Sequence, residues 1–193
     1  MLSLCDTVSC RHAGKQVWTY WASEPGSGPG ASAHSSNGWG TNGTWLNTFL
    51  QWPSIAPRLL FWLGALIGSE GWLYWVANNW ISPVTHTGIG QNASIQRING
   101  TLLTDASKVS DSPIGDGVLF YVHGSSPVPG LRYINLADGI EDQHLFAQCG
   151  ASCSDLLRRL VRSGDQWLDA PLMLEATRRE AARRVIAMKG LVP

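Results

Sequence analysis

An α/β fold built from βαβ units is the class that this 193-residue chain predicts, and three observations predict it. Two short runs of β-forming residues flank a segment with helical periodicity. The second run, Gly71–Ala77, is apolar almost throughout. A third run is followed by another helical segment. Strand, helix, strand, long loop, strand, helix is the alternation that lays helices on a parallel sheet. Strands buried on both faces read as near-continuous apolar runs, and parallel sheets contain them.

Taken in order, the chain divides into a polar segment (1–15), an α/β domain (16–150) and a helical tail (151–193). The first segment carries no apolar stretch of the kind a secretory leader has. Gln16–Ser23 is a strand, because Val17, Trp18, Thr19, Tyr20 and Trp21 all favour the pleated conformation. Pro25–Thr44 is rich in glycine and serine and longer than ordinary connections, which makes it an active-site loop or disorder. Trp39 and Trp45 favour some order. Ser54 is a candidate N-cap for the next helix, with Pro57 in its first turn. Leu59, Leu60, Trp62, Leu63, Leu66 and Ile67 form its apolar face, and Gly68 closes it.

The strand Gly71–Ala77 ends in Asn78-Asn79-Trp80. A polar, loop-like insertion spans Ser82–Pro113. A third strand, Gly117–Val122, follows the Gly115-Asp116-Gly117 turn. Pro127 and Pro129 then lead into a helix whose apolar residues are Leu131, Ile134, Leu136, Ile140 and Leu145. From Asp155 the tail is helical and basic. Its last helix starts at Asp169–Pro171, with Leu174, Ala181, Val185 and Met188 facing inward and Arg178, Arg179, Arg183 and Arg184 facing water. Glu175 and Glu180 interleave with these arginines, which favours a solvated face over a membrane or nucleic-acid surface.

Composition narrows the function. The formal net charge is +0, which gives no reason to expect nucleic acid. Charged residues make up 15%, against about 25% in ordinary soluble domains, so the chain buries much of itself or expects neighbours to cover it. The apolar stretch Leu59–Gly68 is bracketed by Arg58 and Glu70, and falls short of the roughly 20 residues a membrane span needs. Ten tryptophans stand out. An indole suits a core, and equally a wall on which a sugar ring stacks. Cys5, Cys10, Cys149 and Cys153 lack zinc-site spacing, and His34, His86, His123 and His144 do not cluster, so no metal or cofactor is expected. Cys149 and Cys153 share a helix face, where buried free thiols are the simplest expectation. Sequons at Asn42, Asn92 and Asn99 hint at secretion.

Four stretches together resemble one family. Arg58-Leu59-Leu60-Phe61-Trp62, then Gly71-Trp72-Leu73-Tyr74-Trp75-Val76-Ala77-Asn78-Asn79-Trp80, are similar to R-x-L-x-W and G-x-L-Y-W-x-x-N-x-W stretches of the glycoside hydrolase family 123 catalytic domain, also catalogued as domain of unknown function 4091. Gly115-Asp116-Gly117-Val118-Leu119-Phe120-Tyr121 resembles its G-D-G-x-L-x-Y strand. Pro129-Gly130-Leu131-Arg132, followed by Asp138-Gly139-Ile140-Glu141-Asp142, resembles its S-I-R…R-D-G-I-E-D helix. Order and spacing agree from about Val17 to Phe146. The resemblance implies the C-terminal portion of a TIM-like (β/α)8 barrel, with about three parallel strands, their helices and the helical tail. It also implies hydrolysis of terminal β-linked N-acetylgalactosamine. In the family the sugar's own acetamido oxygen attacks the anomeric carbon, and an adjacent Asp-Glu pair orients that group and protonates the leaving oxygen. This sequence contains no Asp-Glu pair; its adjacent acids are Glu141-Asp142, on the last barrel helix, where a structural role is expected. Val122-His123 replaces the usual Pro after Tyr121, Gly130 replaces the Ser before the Arg, and His144 replaces the second Glu.

Barrel chemistry sits at the C-terminal ends of strands. That rule selects Tyr20, Trp75, Asn78, Asn79, Trp80 and Tyr121 as substrate-binding candidates, with Trp75 and Trp80 as a sugar platform. Glu24 and His123 are the candidate catalytic groups, against ordinary loop roles for both. Arg132 with Asp138 or Asp142 is expected to form a buried pair fixing the last helix. The expected partner is a glycan or amino-sugar substrate, with no nucleic acid and no membrane span. If the upstream half of the barrel is missing, the first strand is an open edge, free to pair with another copy. The alternative is a non-catalytic, carbohydrate-binding remnant.

Overall fold

The computed structural model describes residues 16–21, 45–48, 52–74, 77, 94–98, 101–105 and 119–191. Strands β1 (Trp18–Trp21) and β2 (Gly71–Tyr74) pair in parallel, with Trp18 opposite Gly71 and Trp21 opposite Tyr74. Parallel partners require a crossover, and helix α1 (Ala56–Ile67) provides it. This is the βαβ unit expected from the sequence. Ser54 is not the cap: the helix begins one residue later than that role requires, and Ile55 stands at the N-cap without a side-chain hydrogen bond. Pro57 lies in the first turn, where its missing N–H costs nothing. Gly68, at φ 71°, closes the helix, and the Ser69 N–H returns to the Gly64 carbonyl at 2.7 Å.

The third expected strand departs from the barrel pattern. Among the described residues it forms as β5 (Phe120–His123), one residue beyond the expected end at Val122, and enters a four-stranded antiparallel sheet with β3 (Ser94–Ile98), β4 (Thr101–Asp105) and β6 (Ser126–Pro129). Its entrance, among the described residues, meets the line of β2, where the Leu119 and Phe120 N–H groups donate to Ala77 O at 2.8 and 3.3 Å. The reason is local. Gly124, at φ 65°, heads a two-residue turn that folds β5 straight back onto β6. Pro127 and Pro129 lie in an edge strand, where a missing donor is tolerated, and this strand leads through Gly130 into the expected helix. The insertion 82–113 likewise contains the β3–β4 hairpin. The fold is mixed α/β with small sheets, and no closed barrel exists among the described residues.

Helix α2 (Leu131–Cys149) runs into a 3-10 turn (Gly150–Cys153) and the short α3 (Ser154–Leu157). The tail is not wholly helical, because a hairpin of β7 (Val161–Ser163) and β8 (Gln166–Trp167) precedes α4 (Pro171–Met188). The core joins these elements through Leu46, Leu59, Trp62, Leu156, Leu160, Trp167 and Leu174, all essentially without exposure.

Gly139 decides how α2 packs on α1. A Cβ there would lie 2.5 Å from the Phe61 ring and 2.9 Å from the Arg58 carbonyl oxygen, so only glycine allows this approach. The approach turns Arg132, Leu136, Gly139, Asp142 and Phe146 inward. It leaves Leu131, Ile134 and Ile140, named among the apolar residues of this helix, exposed. On α4 the inner stripe is Leu174, Thr177, Ala181 and Val185. Met188, at the helix end, is exposed.

The acid on the inward face of α2 accepts from three residues. Asp142 is 0% exposed. Its Oδ2 accepts from Arg58 Nε at 2.6 Å and Trp62 Nε1 at 2.8 Å. Its Oδ1 accepts from Arg178 Nε at 2.6 Å and Arg58 Nη2 at 3.2 Å. Arg178 thus pairs inward and does not simply face water. Arg58 Nη1 also reaches Glu175 at 2.8 Å, so α1, α2 and α4 close on one ionic clasp. Burial acts to lower the Arg58 pKa, but the hydrogen bonds and charges of Asp142 and then Glu175 outweigh it and hold it above its ordinary value. The pairing expected of Arg132 with Asp138 or Asp142 does not form, because Arg58 and Arg178 occupy both Asp142 oxygens. Cys149 and Cys153 are joined in a disulfide, Cα atoms 5.6 Å apart, and are not free thiols. Their spacing across one helical turn brings them within bonding reach.

Candidate functional site

The covered face of the β1–β2 sheet carries Thr19, Trp72 and Tyr74 toward the helices, where Trp72 meets Phe61 with ring centroids 5.4 Å apart. The opposite face is open: Trp18, Tyr20 and Leu73 are 62%, 50% and 53% exposed. Tyr20 therefore stands on a solvent-facing sheet surface, with its aromatic face available to a ligand.

A polar cluster lies at the end of β2. Tyr74 is the last residue of that strand, and its hydroxyl accepts from Thr48 Oγ1 at 2.7 Å. Thr48 belongs to the short segment 45–48, which is buried although it has no regular structure. That segment is pinned at its start by the Leu46 N–H on Gly164 O at 2.7 Å, in the β7–β8 turn. The Trp45 ring lies where a Cβ on Gly164 would be, so the turn must carry glycine. The Trp52 indole N–H returns to Trp45 O at 2.8 Å.

Arg132 joins this cluster to the second sheet. It is 6% exposed, in the first turn of α2. Its Nη1 donates to Thr48 O at 2.9 Å and its Nη2 to the Tyr121 hydroxyl at 2.9 Å. Gly130, immediately before α2, lies against the Tyr121 ring; a Cβ there would sit 2.8 Å from it. One guanidinium thus ties the end of β2, the segment 45–48 and β5 together. A guanidinium has donors only, in a rigid planar fork, so it fixes two oxygens relative to each other.

An apolar cavity of about 300 Å³ adjoins the cluster, lined by Trp72, Tyr74, Phe120, Tyr133 and Leu136 among others. Beside it, the Trp72 indole N–H is buried without a hydrogen-bond partner among the described residues. A larger cavity of about 630 Å³ opens at the other end of β2, beside Ser69, Glu70, Gln143 and His144. It is away from the C-terminal strand ends, where chemistry gathers in βα folds.

The sequence-selected residues are distributed unevenly. Tyr20 and Tyr121 are not brought together: the first is on the open face, the second is held by Arg132. His123 is exposed at the end of β5, beside the Gly124 turn. Glu24, Trp75, Asn78, Asn79 and Trp80 lie outside the described residues, as do Asn42, Asn92 and Asn99. Sequence reasoning missed Thr48, whose main contribution is a backbone carbonyl, and the hydroxyl of Tyr74. Their signal was faint: Thr48 follows the glycine-rich loop directly, and Tyr74 is embedded in an apolar run.

Compared with known proteins, residues 39–149 match the family model described as the catalytic domain of glycoside hydrolase 123. All four quoted stretches fall inside the match, while β1 precedes it. No curated protein matches the chain.

Proposed function

The chain belongs to the glycoside hydrolase 123 family, and from that premise we propose that it recognises glycans ending in β-linked N-acetylgalactosamine at the C-terminal end of β2. The observation that carries this reading is the hydrogen-bonded cluster of Tyr74, Thr48, Tyr121 and Arg132, in which Tyr74 immediately precedes in sequence the family stretch that contains Trp75, Asn78, Asn79 and Trp80. Aromatic and amide side chains beside a fixed polar base are what sugar binding needs: a flat apolar wall, donors for hydroxyls and little ordering cost.

Turnover is a separate matter. The family's substrate-assisted route needs no protein nucleophile, but it needs an acid pair to orient the acetamido group and protonate the leaving oxygen. No Asp-Glu pair occurs in this sequence, and Asp142 of the Glu141-Asp142 pair is consumed by Arg58, Trp62 and Arg178. General acid catalysis contributes roughly 10²–10⁴-fold, so this chain binds its glycan without hydrolysing it at a family-like rate. The second reading, hydrolysis through a substitute acid, rests on Glu24 or His123. Release of p-nitrophenol from p-nitrophenyl N-acetyl-β-D-galactosaminide decides between them. The expected result is a rate at the blank; turnover lost in Glu24→Gln or His123→Asn would establish the substitute acid.

A further inference from the structure

We propose that Tyr121 donates its hydroxyl hydrogen to an acceptor oxygen of the bound glycan, and that Arg132 is the positioning residue that presets it. The inference rests on the glycan reading above and assigns roles within that site.

The argument is one of hydrogen-bond capacity. A phenol has one hydrogen to give and lone pairs to receive. Arg132 has only donors, so in the 2.9 Å contact the Tyr121 oxygen is the acceptor. The phenol's own hydrogen is therefore still to be placed, and no acceptor takes it among the described residues. The ring cannot swing to look for one freely, because Gly130 abuts it on one side and the guanidinium holds its tip. Arg132 is itself held by a bond to the Thr48 carbonyl. A donor whose direction is set before the ligand arrives loses little freedom on binding. A sugar hydroxyl or acetamido oxygen is an acceptor of the kind it would meet.

The test is a calorimetric titration of the full chain with p-nitrophenyl N-acetyl-β-D-galactosaminide, arranged as a double-mutant cycle. Tyr121→Phe keeps the ring and removes the hydroxyl; affinity falls roughly three- to ten-fold, as expected for one neutral hydrogen bond. Arg132→Lys, a point charge that cannot span both oxygens, causes a loss of the same order. In the Tyr121→Phe background Arg132→Lys adds nothing, because the residue acts through a hydroxyl that is already gone. Should Arg132→Lys not fold, Gly130→Ala, which pushes the Tyr121 ring, takes its place in the cycle. The proposal is overturned if Tyr121→Phe binds like the parent. It is overturned equally if Arg132→Lys leaves affinity untouched, or costs the same in both backgrounds, which is what a merely structural arginine does. A parent chain that does not bind the glycoside removes the glycan reading itself, and this inference with it.

Discussion

Arg58 and Arg132 are both largely buried, yet they are met by different chemistry. Arg58 faces Asp142 and Glu175, and Arg178 closes the set from α4. Arg132 donates, among its contacts, to a backbone carbonyl and a phenol, both neutral. In the first cluster charge meets charge, and the Asp142 oxygens on α2 are filled by donors from α1 and α4. In the second, the partner oxygen on Tyr121 keeps a hydrogen of its own. A saturated buried ion cluster has nothing left to offer a ligand and holds helices together; a cluster with donor capacity to spare is the kind that recognises one.

Four substitutions or conditions test that division. The largest effect is expected for Asp142→Ala, which leaves Arg58 without its main counter-charge in a site of 11% exposure. Stranding one partner of a buried pair costs about 3–5 kcal/mol, or a fall in melting temperature on the order of 10 °C for a chain of this size. The folded fraction should bind the glycoside with unchanged affinity. A loss under about 1 kcal/mol in urea denaturation would erase the contrast between the clusters.

Gly139→Ala comes next. Its new Cβ meets the Phe61 ring and the Arg58 carbonyl, and overpacking of this kind costs about 1–3 kcal/mol. A neutral result by thermal denaturation would mean that α1 and α2 can separate without disturbing the clasp. Reduction of the Cys149–Cys153 disulfide closes the middle of the range. The loop it closes is short, so about 2 kcal/mol is the loss expected from dithiothreitol, again without effect on the glycan.

The smallest effect is electrostatic and exposed. The hydrogen bond from Arg184 lowers the Asp155 pKa, with the Arg184 charge adding to it against a small opposing effect of burial. A carboxyl depressed on folding contributes stability that is fully present above its ordinary value of 3.8 and is lost as pH falls through the lower folded value. Asp155→Asn should therefore make the acid limb of a stability–pH profile slightly shallower below about pH 5. High salt should remove the difference between the two proteins. A change that persists in salt would place Asp155 in a tighter network than its exposure suggests.

Local signals in the sequence predicted local structure well. The β1–α1–β2 unit followed from β-forming runs around a 3.6-period segment, and Gly68 and Pro171 mark the helix ends they were expected to mark. What failed depended on partners. β5 reads as a third parallel strand until the Gly124 turn folds it onto β6. The apolar residues of α2 do not by themselves mark its buried face: Leu131, Ile134 and Ile140 are exposed, while the close approach at Gly139 goes with Arg132 and Asp142 turned inward. Arg132 and Tyr121 were both singled out, but the bond between them joins residues whose proximity no periodicity encodes. Thr48 meets Arg132 through its carbonyl, which every residue has, and its hydroxyl meets Tyr74 across a gap in sequence that no local pattern encodes.

The most direct test of a glycan site at the strand ends is equilibrium binding of p-nitrophenyl N-acetyl-β-D-galactosaminide to the purified, folded chain, followed by tryptophan fluorescence with p-nitrophenol release recorded in the same cuvette. Saturable quenching with release at the blank is the predicted result. A flat titration would contradict the glycan site, and saturation accompanied by steady release would contradict binding without turnover.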